Sequence, residues 1–485
     1  MSGLFSGLLR LAGLNRKARR AIHGECRRIL GFSLDDGRPI FEPDNTSSSL
    51  IYAAAGGGKT TCVAIPEILS MLADLDRSIV INDVKSGEIA AQLVRLCVLY
   101  GRNVALVDDS DTLGDEFADY RISLNPFSNL ISAYQAESSS LMLEIENVSH
   151  IFIDEPKNDA KNAYFRQVPR EFLELALLIL ISRFPELATP GGLAAFLSDT
   201  GMWMSAVTVE ADEGSPLTRS RAMQIKELHE NDPEHYSQHY LAALSALRIF
   251  SPGGPLSEAG RHAEISHEQL LKESYIVFLV QNQRNASRLG TYYGLHFNAF
   301  TSAQMSGGCG RTDLVFDEAA NTPARDVIEK VTIQRAFGLR TLFIAQSRSD
   351  LQRQNGDKLI ATLEDNVRVT QWLKFANIEE AERVSRAMGE RETLTRTLNY
   401  NSGNSEFSGG LSTGRERLYT ADELMRLPPH CQVIYVSGVG YIVCEKASQQ
   451  HLAPYCHQIA PNPLEGGILP PKPRVSLPAP HRRRA

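Results

Sequence analysis

A glycine-rich octapeptide between a short apolar strand and a helix constrains this chain most. It reads Ala53-Ala-Ala-Gly-Gly-Gly-Lys-Thr60, and the residues before it predict a strand over Ser49–Ala53. The spacing fits a phosphate-binding loop, with Ala53 where the first glycine usually stands. Backbone N–H groups of such a loop surround a β-phosphate at the N-terminus of a helix. We therefore expect the chain to bind a nucleoside triphosphate.

Each residue type in the loop suits one part of the nucleotide. Glycines let the backbone N–H groups face inward, Lys59 is expected to reach the β- and γ-phosphates, and Thr60 offers a hydroxyl to Mg²⁺. We predict ATP as the ligand and Mg²⁺ as its metal. The predicted nucleotide contacts are Ala55, Gly56, Gly57, Gly58, Lys59, Thr60 and Thr61.

Two carboxylates end a second apolar strand far downstream of the lysine. In Leu314-Val-Phe-Asp-Glu318, Asp317 can hold the water shell of Mg²⁺, and Glu318 can orient and deprotonate the attacking water. The next apolar run, Leu342-Phe-Ile-Ala-Gln346, ends in an amide that could sense the γ-phosphate. Simpler interpretations stay open at this stage, namely solvated acids at a strand end and a helix cap for Gln346.

Apolar runs without alternation predict a parallel sheet buried on both faces, because strands of that kind contact core on either side. Helices over Val63–Leu75 and Glu88–Tyr100 complete β-α-β units. A hydrophobic content of 43% is sufficient for a large core. The predicted strands are Ser49–Ala53, Ser78–Asn82, Asn103–Asp108, Tyr275–Val280, Asp313–Phe316, Arg340–Ala345 and Val367–Leu373, followed by a hairpin of Gln432–Val436 and Tyr441–Glu445.

Strand patterns disappear between residues 136 and 268, which predicts an all-α domain inserted into an α/β domain formed by residues 45–135 and 269–450. Its predicted helices are Ala163–Phe184, Gly192–Thr208, Ser220–His229 and Pro233–Phe250, the last capped by Asp232. The Ser/Gly/Asn-rich stretch Asn399–Gly414 predicts a flexible loop. Residues 451–485 are predicted to be a proline-rich basic tail, and the last 25 residues, which end in His-Arg-Arg-Arg-Ala, are predicted to be mobile and not folded.

Residues 1–44 are predicted to form a basic amphipathic N-terminal segment. Apolar residues cluster before residue 12, and six basic residues follow by residue 28 with only Glu25 opposing them. Such a segment can lie on an anionic membrane or on a partner subunit, or simply dock on its own domain.

Composition excludes several other classes of protein. A net charge of −7 argues against a chain coated in nucleic acid, so any contact with a polyanion must be local. No apolar stretch reaches the ~18–20 residues that span a bilayer. The seven cysteines are scattered without a Cys-x-x-Cys pair, which favours a reducing cytosol over disulfides or a zinc site. His235 and His239 are spaced for a metal, but the sequence offers no ligand that clearly completes a site.

Seven sequence runs together resemble the TraG/TraD-like coupling ATPases of type IV secretion systems, over about residues 45–445. The runs around Asp317 and Asp422 are specific to that family, whereas the phosphate loop is not. In order they are Ala55-Gly-Gly-Gly-Lys-Thr60, Asn82-Asp-Val-Lys-Ser-Gly-Glu88, Leu124-Asn-Pro-Phe127, Phe316-Asp-Glu-Ala-Ala-Asn321, Gln334-Arg-Ala-Phe-Gly-Leu-Arg340, Ala345-Gln-Ser347 and Arg417-Leu-Tyr-Thr-Ala-Asp-Glu-Leu-Met-Arg-Leu-Pro428.

The resemblance implies a RecA-like P-loop NTPase domain, interrupted by the all-α insert, that assembles as a hexamer. It implies ATP-driven delivery of a relaxase-bound single DNA strand, or of protein effectors, to the components of a type IV secretion channel. It also implies that Arg335 reaches the nucleotide of a neighbouring subunit, with an ordinary surface arginine as the alternative.

Two departures from the family pattern matter. Val84 replaces the usual proline after Asp83, which puts the shape of that turn in doubt, and this sequence shows no N-terminal pair of transmembrane helices. We therefore expect a cytoplasmic protein, attached to the inner membrane at most peripherally, through a partner or through residues 1–28. Two other functions stay open. One is an FtsK-like pump of double-stranded DNA, and the other is a non-hydrolysing adaptor that recruits substrates.

Overall fold

The computed structural model describes residues 26–44, 46–154, 164–320, 322–401, 406–464 and 473–480. Its strands are β1 Ile29–Ser33, β2 Pro39–Phe41, β3 Ser49–Ala53, β4 Arg77–Asp83, β5 Val104–Val107, β6 Ile276–Val280, β7 Arg311–Phe316, β8 Leu339–Ala345, β9 Val369–Lys374, β10 Glu390–Asn401, β11 Glu406–Arg417, β12 Cys431–Val436, β13 Gly440–Lys446, β14 Leu452–Ala453 and β15 Val475–Ser476.

The α-helices are α1 Ile65–Met71, α2 Glu88–Leu99, α3 Ser128–Gln135, α4 Leu141–Phe152, α5 Tyr164–Arg183, α6 Pro190–Ser198, α7 Thr200–Glu213, α8 Pro216–Asn231, α9 Pro233–Ala246, α10 His267–Lys272, α11 Ala286–Met305, α12 Arg325–Glu329, α13 Arg348–Asn355, α14 Asp357–Asn366, α15 Ile378–Met388 and α16 Ala421–Met425. A wide helical turn, Thr60–Ala64, leads into α1, so this helical segment begins three residues earlier than predicted.

An eleven-stranded sheet in the order β2-β1-β13-β12-β9-β3-β8-β7-β4-β6-β5 forms the centre of the molecule. The strands from β9 to β5 run parallel, and β12, β13, β1 and β2 extend the sheet in antiparallel pairs. All seven predicted strands and the predicted hairpin are present within two residues of their predicted bounds. The predicted α/β class with a largely parallel sheet is confirmed.

The parallel strands are buried because both faces of the sheet are covered. Along β3, Leu50 and Tyr52 belong to the core on one face, whereas Ile51 and Ala53 belong to the core on the other. Side chains on a strand alternate between faces, so a strand with core on both sides must be apolar throughout. This requirement is why the apolar runs identified these strands from sequence.

Helices α3 to α10 occupy the chain between β5 and β6. In α5, residues 172–181 are all buried, and the Asp232 carboxylate caps α9 by accepting the N–H of His235 at 3.2 Å. The prediction of one continuous helix over Gly192–Thr208 is wrong, because two helices, α6 and α7, lie there. Asp199 separates them, and its carboxylate accepts the N–H of Met202 at the start of α7. No helix in the described part of the chain is long and apolar enough to cross a bilayer.

The predicted flexible loop Asn399–Gly414 is also wrong over its described residues, 399–401 and 406–414. Those residues belong to the antiparallel hairpin of β10 and β11, whose pairing runs without a register shift from Glu390↔Arg417 to Asn401↔Glu406. Serine, glycine and asparagine lower strand propensity, but a continuous ladder satisfies their backbone N–H and C=O groups whatever the side chains are.

Parts of both predicted terminal segments are folded. Strands β1 and β2 join the main sheet, and β14 pairs in parallel with β15. The prediction that the last 25 residues are not folded is therefore wrong for residues 461–464 and 473–480, and residues 451–460 of the predicted tail are folded as well. Leu452, Tyr455 and Leu477 are buried, and the Tyr455 ring meets that of Tyr100 edge-on at 5.1 Å, so apolar burial holds this segment against the domain. The amphipathic residues 1–25 lie outside the described residues, and the domain boundaries stay predictions.

Candidate nucleotide-binding site

Three of the predicted site residues meet at the carboxyl edge of the sheet. The ammonium of Lys59 pairs with Glu318 Oε1, although 259 residues separate the two in sequence. The amide of Gln346 donates to Glu318 Oε2 at 3.3 Å. These residues follow β3, β7 and β8, which are adjacent parallel strands, so their ends lie at one edge. The alternative interpretation of Gln346 as a helix cap is wrong, because the cap of the following helix is Ser347, whose side chain accepts the N–H of Asp350.

The loop needs its glycines for conformation and for space. Gly56 has φ of +70° and Gly58 of +92°, in the left-handed region that other residues rarely adopt. A Cβ on Gly57 would lie 2.8 Å from the carbonyl oxygen of Ala54. The observed path of the loop backbone is therefore compatible only with glycine at these positions.

Glu318 has a backbone conformation that suits a functional residue. Its φ is +55°, which is uncommon outside glycine and asparagine. Such strain persists only where surrounding contacts impose it, and it concentrates at functional sites. Here the following residue, Ala319, donates its N–H to the carbonyl of Ile344 on β8 at 2.8 Å, which holds the turn.

Asp317 and Thr60 fit a magnesium ion. Asp317 is buried, and its Oδ1 has no hydrogen-bond partner among the described residues. Burial, together with the charge of Glu318, raises the pKa of Asp317 to about 6. A buried carboxylate oxygen without a partner and a threonine hydroxyl at the head of a helix are the kinds of oxygen donor that Mg²⁺ uses together with its waters. When bound there, Mg²⁺ would neutralise charge on the phosphates.

Asp83 and Lys85 belong to the site, although no role was predicted for them. Asp83 Oδ2 accepts the N–H groups of Ile89 and Ala90, each at 2.8 Å, and burial raises its pKa to about 7. The ammonium of Lys85 donates to Thr60 Oγ1 at 3.1 Å and lies 3.4 Å from a carboxylate oxygen of Glu88. An Asp-x-Lys sequence directly after an apolar strand was the signal that could have found them.

The structure does not bring Arg335 to the site of its own chain. It is exposed in a turn, Gln334–Phe337, immediately before β8, whereas Gln346 directly follows that strand. A seven-residue strand spans roughly 20 Å. Arg335 therefore lies at the opposite edge of the sheet from Lys59. The described residues also hold no cluster of three or more histidine, cysteine and carboxylate side chains that could hold a metal ion.

Comparison with known proteins places this geometry in a family. A family model described as "Type IV secretory system Conjugative DNA transfer" matches residues 7–460. Among curated proteins, no significant sequence match is found.

Similar folds occur among solved structures. The unbound bacterial conjugative coupling protein TrwBdeltaN70 matches with a TM-score of 0.63 at 16% identity, covering 89% of this chain and 91% of its own. TrwB in complex with ADP and Mg²⁺ matches with a TM-score of 0.62 at 16% identity, covering 91% and 93%. VirB4 of Thermoanaerobacter pseudethanolicus matches with a TM-score of 0.50 at 17% identity, covering 89% and 97%. At these identities the likeness shows the fold, which is that of the P-loop NTPases in TrwB and VirB4.

Proposed function

This chain belongs to the type IV secretory system conjugative DNA transfer family, and we propose that it hydrolyses Mg²⁺-ATP to deliver substrate to a type IV secretion channel. The observation that carries the ATPase proposal is the contact of Glu318 with both Lys59 and Gln346. That contact joins the phosphate-binding loop to a base and to a polar residue on the neighbouring strand. The crystallised complex of TrwB with ADP and Mg²⁺ supports the choice of ligand and metal.

The residues of the site suggest an order of events. Without nucleotide, Lys59 is held by Glu318. When the loop binds a triphosphate, Lys59 turns to the β- and γ-phosphates, and Glu318 is released to orient and deprotonate the attacking water. Gln346, which contacts Glu318, then responds to the presence or loss of the γ-phosphate. Thr60 and Asp317 would hold Mg²⁺.

As substrate, we favour single-stranded DNA bound to a relaxase, or protein effectors, moved through a hexameric ring. DNA would contact only pore loops, in a salt-sensitive mode independent of sequence, and this is compatible with the net charge of −7. An FtsK-like pump of double-stranded DNA is the alternative. A non-hydrolysing adaptor is disfavoured, because Lys59, Thr60, Asp317 and Glu318 are all retained.

Phosphate release tests the proposal directly. Hydrolysis should require Mg²⁺ and should disappear in Lys59→Ala, because loss of a phosphate-clamping charge raises the barrier by several kcal/mol. Lys358→Ala, at an exposed lysine away from the loop, is the matched control. Greater stimulation by single-stranded than by double-stranded DNA supports the coupling function, and the reverse supports the pump. Turnover by Lys59→Ala at the wild-type rate refutes the site.

Attachment to the membrane is proposed to use residues 1–28, with the rest of the protein in the cytoplasm. The sequence there is basic and amphipathic, a composition that binds anionic lipid or a partner subunit. Flotation with anionic vesicles and pull-down with channel components, each with and without residues 1–28, separate the two. If neither changes on deletion, this segment has no role in attachment.

A further inference from the structure

The C-terminal segment of the chain lies against helix α2, beside the proposed nucleotide site. The N–H of Ala460 donates to the carbonyl oxygen of Gln92 at 3.2 Å, and the side-chain amide of Gln449 donates to Gln92 Oε1 at 3.5 Å. These contacts place the segment along the helix whose first residue is Glu88.

One side chain of this segment, Asn462, reaches the buried carboxylate of Glu88. Asn462 Nδ2 donates to Glu88 Oε1 at 2.7 Å, and the two residues are 4% and 3% exposed. The orientation of the amide is fixed, because Asn462 Oδ1 accepts the N–H of Leu464 at 2.8 Å. A flipped amide would lose both hydrogen bonds, since it would place an oxygen against the carboxylate and an NH₂ group against an N–H. A donor therefore faces Glu88.

Glu88 connects Asn462 to the phosphate-binding loop. Its other oxygen, Oε2, lies 3.4 Å from the ammonium of Lys85, and that ammonium donates to Thr60 Oγ1 at 3.1 Å. Three successive contacts thus lead from the C-terminal segment to the hydroxyl assigned to Mg²⁺ in the proposed function.

The ammonium of Lys85 is shared between two oxygen acceptors, and Asn462 affects the balance between them. Its amide stabilises the negative charge of Glu88, so this carboxylate attracts Lys85 less strongly than a buried carboxylate without a donor would. Lys85 can then keep its hydrogen bond to Thr60. Without the amide, Glu88 would have only Lys85 to compensate for its burial and would draw the ammonium away from the hydroxyl.

From these contacts we propose that Asn462 is a positioning residue of the nucleotide site, whose amide limits the attraction of Glu88 for Lys85 and so keeps Lys85 on the Thr60 hydroxyl. The inference rests on the proposed ATPase function and adds the C-terminal segment to its site. Because Asn462 acts through Glu88 and Lys85, it should affect turnover more than the binding of phosphates by the loop.

Asn462→Asp tests this role with little change in size. The new carboxylate keeps an oxygen for the N–H of Leu464 but places an acceptor and a negative charge beside Glu88. We expect kcat for ATP to fall by about tenfold, whereas the affinity for ATP, measured by calorimetry, should stay unchanged. Should Asn462→Asp not fold, Asn462→Ala, which removes the donor without adding charge, takes its place.

Gln449→Ala is the matched control. It removes a contact of the same segment with the same helix, but that contact is made with Gln92 and not with Glu88. Its kcat should equal that of the wild type. A kcat as low as that of Asn462→Asp would show that docking of the segment matters and that the amide of Asn462 has no specific role.

Exchanging the two side-chain types should restore the contact. In Asn462→Asp combined with Glu88→Gln, the amide at position 88 can donate to the carboxylate at position 462, and the pair again carries one negative charge. We expect this exchange variant to recover part of kcat. In urea, without nucleotide or metal, it should also be more stable than Asn462→Asp, which shows the contact independently of activity.

A Lys85→Met background separates positioning from a general loss of stability. No ammonium remains there to be displaced, so Asn462→Asp should lower the rate of single-turnover phosphate release by less than about twofold. A merely structural role would lower the rate equally with and without Lys85.

The outcomes separate this inference from the function on which it rests. If the wild type hydrolyses ATP and Asn462→Asp has the same kcat, the role of Asn462 is refuted and the ATPase stands. An exchange variant no faster than Asn462→Asp, or an equal loss in the Lys85→Met background, also refutes it. If the wild type does not hydrolyse ATP, the proposed function itself fails.

Discussion

The ammonium of Lys85 lies 3.1 Å from Thr60 Oγ1, the hydroxyl that we propose as a ligand of Mg²⁺. Burial disfavours the charge on Lys85, but Glu88, Asp317 and Glu318 outweigh it and raise its pKa. A lysine cation thus occupies the electrostatic environment that suits a divalent ion.

The main effect of removing Lys85 should be on the affinity of the site for a divalent metal ion. We expect Lys85→Met to bind Mn²⁺ more tightly than the wild type without nucleotide, because a competing cation is lost. Turnover of ATP should fall by at least about tenfold, since Thr60 and Glu88 lose the group that positions them. Electron paramagnetic resonance titration of Mn²⁺ measures the first effect. Unchanged Mn²⁺ affinity would show that Lys85 does not compete with the metal.

Glu318→Gln should bind ATP and fail to hydrolyse it. The amide keeps the size and hydrogen-bonding reach of the carboxylate but cannot accept the proton of the attacking water, which is worth about 10²–10⁴ in rate. Binding by calorimetry and phosphate release in single turnover measure the two steps separately, with Glu329→Gln as the exposed control. Equal loss of binding and turnover would indicate a structural role for Glu318.

Arg335 should act on a neighbouring subunit, because its own site lies across the sheet. Arg335→Ala and Lys59→Ala should each be inactive and should partly recover activity when mixed. In a mixed ring, some interfaces join an intact Lys59 to an intact Arg335, and an arginine supplied in trans is worth about 10³–10⁵ in rate in related reactions. Phosphate release is measured at concentrations that support assembly. Verified mixed oligomers without recovery would exclude action in trans.

Arg340 should be required for stability, because it is the centre of a buried ion-pair network. It contacts Glu42, Glu67 and Asp313, and all four side chains are at most 2% exposed. Arg340→Ala leaves three carboxylates without their main partner, and loss of one member of a buried pair costs about 3–5 kcal/mol. Urea unfolding measures the loss, with Arg426→Ala in an exposed pair as the control. A cost below about 1 kcal/mol would show that the remaining arginines compensate.

Acid should destabilise the protein through a buried histidine pair. His267 Nε2 lies 3.0 Å from His296 Nδ1, and burial lowers the pKa of His267 well below 6.5 and that of His296 to about 3. Both stay neutral when folded and take up protons on unfolding. Their contribution to the free energy of unfolding is therefore complete above about pH 6.5 and is lost as the pH falls. The free energy of unfolding then decreases with a slope approaching about 2.7 kcal/mol per pH unit.

Replacing both histidines by glutamine tests this slope. The free energy of unfolding of the double variant is measured in urea between about pH 5 and 7. It should depend on pH less steeply than that of the wild type, by the equivalent of about two bound protons. His457→Gln, at an exposed histidine, should leave the slope unchanged. If the free energy of unfolding of the double variant depends on pH as steeply as that of the wild type, other groups cause the acid sensitivity.

Local patterns in the sequence determined the phosphate-binding loop, the two carboxylates that follow β7 and the parallel strands. Each of these depends on residues that are adjacent in sequence. Glycines are needed where φ is positive, and an unbroken apolar run is needed where a strand has core on both faces. For that reason Lys59, Asp317 and Glu318 could be identified before any contact between them was known.

Only the tertiary structure decided which distant residues meet. The pairing of Lys59 with Glu318, the Arg340 network and the contact of Lys446 with Gly57 join residues hundreds of positions apart. Likewise, β1 and the segment around Tyr455 are too short or too irregular to be recognised alone, and they are ordered by burial against the sheet. Contacts of this kind depend on which strands become neighbours, and that order is a property of the whole chain.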